Sequence, residues 1–195
     1  MPLKILVLNA SLLGMTEHFA NVVKDKVVKQ KEKEGFEVEV TDFNLNVELE
    51  GQLLTSENLK TFYDDIDRYL DLLKENDIII CSTSLVNYHA SPAMVAFFNK
   101  IALSGVTFRY ENGYPVPVIE EFASKKVYVV AAAGTPADKI TSGPATAFNS
   151  IVELWEYVGF KDIKLLYVTG TDAGDNFRKP FEYLAKKYDD ILSDI

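Results

Sequence analysis

Two patterns of hydrophobic residues alternate along the chain. Short, mostly apolar runs are each followed, after a polar loop, by a longer segment whose apolar residues recur at spacings of three and four. A short apolar run is typical of a strand in the core of a sheet, and the longer spacing is typical of an amphipathic helix. Five such pairs follow one another. The pattern therefore predicts five strand–helix units.

The elements can be placed from these patterns and from residues that favour helix ends. The predicted strands are Lys4–Leu8, Phe36–Val40, Asp77–Cys81, Lys126–Ala131 and Ile163–Val168. The predicted helices run from Thr16 to Glu34, from Ser56 to Lys74, from Ser91 through Pro92 to about Leu103, from Pro144 to Val158 and from Gly174 to Leu192. Thr16 and Ser56 are suited to capping the first two helices. Gly35 and Gly159 are placed to end the first and the fourth.

These units predict an α/β fold with an open, doubly wound sheet of five parallel strands. Right-handed crossovers put helices on both faces, and 2-1-3-4-5 is the common strand order for five units. The second strand, FEVEV, alternates apolar and charged residues and is therefore expected at an edge. A six-stranded dinucleotide-binding sheet that lacks one strand is the alternative. No linker divides the chain, so residues 1–195 are expected to form one domain, with a ligand crevice where the strand order reverses.

Two connections are longer than a minimal five-unit sheet requires. One covers residues 42–55, and the other covers residues 104–125, between the third helix and the fourth strand. The second predicts a β-hairpin, because Thr107–Tyr110 alternates in polarity and Glu111-Asn112-Gly113 is a turn signal. Long ordered connections usually serve binding or assembly.

Composition narrows the classes of function. The 195 residues include 20 Lys and Arg against 29 Asp and Glu, which gives a formal net charge of −9 at pH 7. This balance argues against nucleic acid as a partner, because such binding needs a basic face. No apolar run approaches the roughly 18 residues of a membrane helix, so no membrane association and no signal peptide are expected. Cys81 lies in an apolar run, and a buried thiol in a reducing cytoplasm is favoured over a nucleophile.

Motifs of several other enzyme classes are missing from the sequence. Neither the dinucleotide spacing G-x-G-x-x-G nor the phosphate loop G-x-x-x-x-G-K-[ST] occurs, and there is no G-x-S-x-G nucleophile elbow. The two histidines, His18 and His89, form no cluster with metal-ligand spacing. Metal-dependent hydrolysis and a Ser-His-Asp triad are therefore disfavoured, and no metal site is expected.

Polar residues gather in three loops, each of which follows a central strand. In the first loop, Asn9–Glu17, the hydroxyls of Ser11 and Thr16 lie at the start of a helix. A helix N-terminus with hydroxyls suits a phosphate group without any lysine, and a capped helix start is the alternative. The overall acidity does not exclude this, because it is spread over helix faces such as 32–37 and 64–71.

The other two loops suit a flat ligand. In Ser84–Pro92, Tyr88 offers a flat face and Asn87 an amide, with a surface turn as the alternative. In Ala131–Pro136, small residues allow the backbone to approach a ring closely. A phosphate site next to a slot for a flat ring system predicts flavin mononucleotide (FMN) as the cofactor.

The residues of the second loop and of the long connection also resemble a known family. Asn87-Tyr88 followed by a helix, and then the stretch 104–113 (SGVTFRYENG), resemble the FMN-dependent NADH-azoreductases, which are flavodoxin-like quinone reductases. Residues 3–11, 77–113 and 126–134 and the segment from Gly143-Pro144 to Gly159-Phe160 are similar to that family. The resemblance implies a flavodoxin-like fold and covers nearly the whole chain.

The resemblance also implies which residues hold FMN. By position, Ser11 matches the serine of the family's first loop, and the positions where the family binds phosphate are Thr16, Glu17 and His18. The isoalloxazine loop matches Leu85, Val86, Asn87 and Tyr88, and the segment beside the ring matches Ala132, Ala133, Gly134 and Thr135. Three positions depart from the family's usual residues. His18 stands for a small hydroxyl, Val86 for an aromatic and Ala133 for an arginine.

The activity implied by the resemblance is a ping-pong exchange. NADH or NADPH gives a hydride to FMN and leaves, and a quinone or azo compound then takes its place. The cofactor carries this chemistry, so no catalytic side chain is expected. The resemblance further implies a homodimer with a pocket shared across subunits. Phe108 and Tyr110 are candidates for one wall of the substrate slot, with hairpin packing or a dimer contact as the alternative.

Two other functions stay open at this point. A flavodoxin-type electron carrier would suit the acidic charge, but its T-x-T-G-x-T phosphate loop is missing. A flavin-free α/β hydrolase or interaction domain is the second alternative.

Overall fold

The computed structural model of the chain describes residues 1–12, 14–140 and 144–195, and for 144–147 it describes the backbone alone. Two positions used above, Leu13 in the first loop and Gly143 in the family resemblance, lie outside the described residues.

The predicted sheet and its strand order are confirmed. The strands are β1 (Leu3–Asn9), β2 (Val38–Asn44), β3 (Ile78–Ser84), β4 (Phe108–Glu111), β5 (Tyr114–Pro117), β6 (Lys126–Ala133) and β7 (Asp162–Thr169). Five of them form a parallel sheet in the order β2-β1-β3-β6-β7. Counted along the sheet strands alone, this is the order 2-1-3-4-5 of a flavodoxin-like fold.

Helices cover both faces of this sheet. They are α1 (Gly14–Lys33), α2 (Leu45–Glu48), α3 (Ile66–Lys74), α4 (Pro92–Ile101), α5 (Pro144–Val158), α6 (Phe181–Lys187) and α7 (Asp189–Leu192). Apolar residues of α1, α6 and α7 pack in one core with alternate residues of the strands, and those of α2 to α5 pack in a second core on the other face. No helix among the described residues is long and apolar enough to cross a membrane.

The edge position of the second strand is confirmed, but its bounds are not those predicted. Most residues of β2 are exposed, and the strand runs from Val38 to Asn44 rather than from Phe36 to Val40. Gly35 and Phe36 are used instead to close α1, because their N–H groups donate to Glu32 O and Lys31 O, each at 3.0 Å. Gly35 has φ +91°, as a glycine that ends a helix commonly does.

The second helix is shorter than predicted, and Ser56 does not cap it. Residues 56–65 form successive turns, and α3 begins only at Ile66. A buried lysine from α4 explains the interruption: Lys100 Nζ donates to Phe62 O and pairs with Asp65 Oδ1 at 2.5 Å. Phe62 O is the carbonyl to which Ile66 N–H would donate in a continuous helix, and Ile66 N–H donates to Tyr63 O instead.

Two other helix ends also differ from the prediction. The first helix begins at Gly14, so Thr16 lies inside its first turn rather than at its cap. The last predicted helix, Gly174 to Leu192, is divided into a short 3-10 turn at Asn176–Arg178 and the helices α6 and α7. Pro180 falls within the predicted span and has no N–H to donate, so a helix cannot run through it undisturbed.

The predicted hairpin is confirmed as a separate two-stranded sheet. Strands β4 and β5 pair antiparallel, from Phe108 opposite Pro117 to Glu111 opposite Tyr114. Asn112 and Gly113 connect them with φ +52° and +84°, as in a type I′ turn. In the other long connection, 42–55, the first residues form the end of β2 and the next four form α2. Asn44 caps the first turn of α2.

Gly159 ends α5, as predicted, and its α-carbon lies against the end of the hairpin. Its φ is +118°, and a Cβ built on it would lie 3.2 Å from Pro117 Cβ and 3.3 Å from Ile119 O. Gly35 has a similar backbone conformation, but a Cβ there would meet no described residue within 4 Å.

The two glycines therefore form a matched pair for a test of this packing. We expect Gly159→Ala to lower the free energy of unfolding by about 3 kcal/mol, from backbone strain together with steric conflict. Gly35→Ala should cost about 1 kcal/mol, from strain alone. Urea unfolding of both variants measures the difference, and equal losses would contradict the contact with Pro117.

Candidate functional site

The three polar loops meet at one edge of the sheet. They follow β1, β3 and β6, which are neighbours in the sheet and run parallel. Asn9 at the end of β1 pairs with Ser82, and Ser84 at the end of β3 pairs with Ala132. The three loops therefore meet at the carboxyl ends of these strands. Here β1 and β3 lead to helices on opposite faces of the sheet, and ligands usually bind at this point in such sheets.

Three hydroxyls form a buried cluster beneath the first loop. Ser84 Oγ lies 3.0 Å from Ser11 Oγ and 3.0 Å from Thr16 Oγ1. Ser84 was not among the predicted site residues: the sequence placed it at the start of the second loop, whereas β3 extends to it. The cluster ties the start of α1 to the end of β3.

The hydroxyls of this cluster are turned inward, so the helix backbone is what the first loop presents to a ligand. The first N–H groups of a helix have no acceptor within the helix and favour anions. A Cβ built on Gly14 would meet no atom of the described, non-neighbouring residues within 4 Å.

The other two predicted phosphate residues, Glu17 and His18, are not part of the hydroxyl cluster. Glu17 is exposed and lines a cavity of about 280 Å³ between α1 and β2, together with Asp42 and Asn44. The ring of His18 stacks on Phe181 of α6, with ring centroids 3.7 Å apart. The structure thus uses His18 to pack α6 against α1.

The second loop makes a tight turn at its predicted ligand residues. Val86 N–H donates to His89 O at 2.8 Å, and His89 N–H donates to Val86 O at 2.9 Å. The two residues between them, Asn87 and Tyr88, have φ +49° and +65°, and Tyr88 is exposed. An aromatic residue at positive φ is under backbone strain, which is common at functional sites.

The third loop is fixed by the loop that follows β7. Gly170, Thr171 and Asp172 donate their N–H groups to Thr135 O, Ala133 O and Gly134 O, at 3.1, 3.2 and 3.1 Å respectively. The side chains of Ala132 and Ala133 are buried, so these two predicted site residues can meet a ligand mainly through their backbone.

A cavity of about 440 Å³ lies between the second and third loops. It is lined by Leu85, Gly134, Thr135, Pro136, Lys139, Asp172 and Ala173. This volume falls within the range of small-molecule sites. Three of its lining residues were predicted, namely Leu85, Gly134 and Thr135. Asp172 was missed, because nothing in the sequence marks the loop after β7 as part of the site. Lys139 was missed because it lies just beyond the predicted third loop, in the turn Ala137–Lys139.

Val86 and Asn87 face a second cavity on the α4 side. It measures about 350 Å³ and is lined by these residues, His89, the segment Gln52–Leu54 and the outer face of α4. A neighbouring cavity of about 320 Å³ continues past Leu12 and α2. The second loop thus separates a cavity toward Gly134 from a more apolar groove along α4.

Phe108 and Tyr110 are not brought together with the three loops. Helix α4 begins directly after the second loop, and the hairpin follows its other end. Phe108 is buried against Tyr157 in the last turn of α5, with ring centroids 4.6 Å apart. Burial and the nearby Tyr110 raise the pKa of Tyr157. Within one subunit the two aromatic residues therefore pack at the opposite end of α4 from the site.

Cys81 is buried in β3, as predicted, and is not a nucleophile. Its exposed fraction is 0%, and burial raises the pKa of its thiol to about 12. Near neutral pH the thiol is protonated and inaccessible.

Comparison with known proteins identifies the fold class first. The model of a family described as a flavodoxin-like fold matches residues 3–192, and the chain belongs to that family. The curated FMN-dependent NADH:quinone oxidoreductase of Mycoplasma mobile is 26% identical over 174 residues, which cover 86% of this chain and 84% of that protein. The protein of the same name from Mycoplasmopsis synoviae is 24% identical, with 97% of this chain and 96% of that protein covered.

A solved structure agrees with this at the level of the fold. The FMN-dependent NADH-azoreductase from Bacillus anthracis, in complex with FMN, superposes with a TM-score of 0.65 at 16% identity, covering 97% of this chain and 96% of that chain. The family predicted from Asn87-Tyr88 and residues 104–113 is confirmed, and so is its assignment to the oxidoreductases.

The hydroxyl cluster can be tested by a double-mutant cycle. Ser84→Ala and Thr16→Val each remove one partner of the same buried hydrogen bond, and each should lower the free energy of unfolding by about 1–2 kcal/mol. Because the bond can be lost only once, the double variant should cost about 0.5–1.5 kcal/mol less than the sum of the two. Urea unfolding measures all four proteins, and strict additivity would show that the two hydroxyls do not interact.

Proposed function

We propose that the protein is an FMN-dependent oxidoreductase that transfers electrons from NADH or NADPH to quinones and azo compounds by a ping-pong mechanism. The observation that carries the proposal is the cavity of about 440 Å³ between Leu85 and Gly134–Pro136, at the sheet edge where the three polar loops meet. The relatives named above are NADH:quinone oxidoreductases, and a structural neighbour is an azoreductase with bound FMN.

The residues of the chain fit FMN in this arrangement. The first turn of α1 would hold the phosphate through backbone N–H groups, with the cluster of Ser11, Thr16 and Ser84 fixing the position of that turn. Leu85 would contact the ring from the second loop, and Gly134 and Thr135 from the third. Ala132 and Ala133 support the fit, because small side chains let the backbone of the third loop come close to a flat ring.

FMN supplies the redox chemistry when bound, since it accepts a hydride from a nicotinamide and passes electrons to a second substrate. The chain's part is to bind and orient. Backbone N–H groups of the second and third loops can donate toward the pyrimidine edge of the ring, where negative charge develops on reduction. The groove lined by Val86, Asn87 and the α4 face offers room beside the ring for NADH and an acceptor in turn.

A homodimer would complete this groove. The outer face of α4 carries Pro92, Val95, Ala96 and Asn99 at helical spacing, and Val95 is 41% exposed. Leu53 beside it is 70% exposed. If α4 packs antiparallel to its copy about a two-fold axis, the hairpin of one subunit lies near the second loop of the other. In that arrangement Tyr110, which is 63% exposed, would reach the pocket of the partner subunit, whereas Phe108 is buried against Tyr157 of its own subunit. The free, buried thiol of Cys81 supports a cytoplasmic location, where thiols are kept reduced.

The primary test is reduction of bound FMN. We expect the purified protein to bind FMN, and anaerobic NADH or NADPH to bleach the visible absorbance of the bound flavin. A quinone or an azo dye added afterwards should restore the colour. Bound FMN that neither nicotinamide reduces would favour an electron carrier, and a protein that does not bind FMN would contradict the proposal.

Steady-state kinetics test the order of the exchange with the same protein. If one pocket serves both substrates in turn, varying the nicotinamide at several fixed quinone concentrations should give parallel double-reciprocal lines. Intersecting lines would indicate a ternary complex and contradict the ping-pong mechanism.

The dimer is tested by placing a charge on the α4 face. Val95→Glu should convert a dimer to a monomer, because a carboxylate would be buried without a partner in the interface. Tyr183→Glu is the matched control, since Tyr183 is 50% exposed on α6, on the other face of the sheet. Light scattering after size exclusion measures the mass. A monomeric parent protein, or a Val95→Glu protein that stays dimeric, would contradict this interface.

A further inference from the structure

A carboxylate lies directly over the glycine of the third loop. A Cβ built on Gly134 would be 2.1 Å from Asp172 Oδ2 and 2.7 Å from Asp172 Cγ. The carboxylate therefore fills the space that any other residue at position 134 would need. Both residues line the cavity of about 440 Å³, so the carboxylate borders the proposed ring site.

The position of this carboxylate is set by the backbone. The three hydrogen bonds from residues 170–172 to residues 133–135 hold Asp172 beside Gly134. Asn176 Nδ2 adds a bond of 2.7 Å to Gly170 O, which fixes the same loop from its far end. Asp172 is thus attached to the scaffold next to the cavity, although its side chain is exposed.

The carboxylate also has unused capacity to accept hydrogen bonds. Within residues 1–12, 14–140 and 144–195, no hydrogen bond or ion pair to the Asp172 side chain is present. Lys139 is the cation that lines the cavity, and its Nζ lies 3.5 Å from the carboxylate of Asp138. The two residues before Gly134, Ala132 and Ala133 at the end of β6, add no positive charge.

We infer that Asp172 positions the pyrimidine edge of FMN and lowers the reduction potential of the bound cofactor, an inference that rests on the proposed function. The oxidised ring presents an N3–H donor between two carbonyls, and a carboxylate is a matched acceptor for it. Two-electron reduction adds negative charge to the same edge, which a neighbouring carboxylate opposes. Asp172 therefore favours oxidised over reduced FMN and makes the bound cofactor a stronger reductant.

The test measures the affinity of both redox states of FMN and the midpoint potential. Asp172→Asn keeps the shape of the side chain and removes its charge. We expect its affinity for reduced FMN, relative to that for oxidised FMN, to be about tenfold higher than in the parent protein. For a two-electron couple this corresponds to a rise of about 30 mV in the midpoint potential. Asp175→Asn is the control, because Asp175 is exposed in the same loop and does not line the cavity. Its potential should equal that of the parent protein.

Two further readouts separate charge from structure. The shift in Asp172→Asn should shrink as salt is raised, because an exposed carboxylate is screened. Asp172→Ser should give the same upward shift, since it also removes the charge.

Several outcomes would overturn the inference. FMN bound with an unchanged potential in Asp172→Asn would refute it and leave the proposed function standing. Equal shifts in Asp172→Asn and Asp175→Asn would show an effect of net charge and refute it as well. A parent protein that does not bind FMN would remove the proposed function and this inference together.

Discussion

Strand β3 lies in the middle of the sheet with all seven residues buried, and its last three residues carry hydroxyls. A buried hydroxyl requires a hydrogen-bond partner, so the end of this strand dictates what lies around it. Ser82 Oγ donates to Asn9 Oδ1 in the first loop, and Thr83 Oγ1 accepts from Ser91 N–H just before α4. Ser84 contacts Ser11 and Thr16 at the start of α1. The end of β3 thereby fixes the first loop and the N-terminal ends of α1 and α4, which lie on opposite faces of the sheet.

The topology could be predicted because it depends on patterns that are local in the sequence. Continuous apolar runs identify strands that need cover on both faces, and the FEVEV segment identifies the edge. The hairpin was predictable for the same reason, since Asn112-Gly113 is a turn signal that needs no tertiary context. The three ligand loops follow from the topology, because parallel neighbours deliver their carboxyl ends to one edge.

What the sequence did not reveal depends on contacts between distant residues. Lys100 Nζ donates a hydrogen bond to the carbonyl oxygen of Phe62, almost forty positions earlier. The helical periodicity of residues 56–65 gives no sign of this contact. The ring of His18 stacks on Phe181, far along the chain, and no local pattern indicates this contact. Asp172 entered the site only because backbone bonds join the loop after β7 to the third loop. Each case is a tertiary interaction that overrides or adds to local preference.

The chain makes the same kind of turn twice, with different chemistry. At the hairpin tip the second central residue is Gly113, whereas in the second loop it is Tyr88, with a φ of +65°. A non-glycine residue in this left-handed conformation costs about 1–3 kcal/mol of stability. The second loop is therefore less stable with Tyr88 at this position than it would be with a glycine. The Val86–His89 bridge is then the restraint that holds the segment folded. Tyr88 is thus carried by a strained turn at the surface, while the hydroxyls at the end of β3 are anchored in the core.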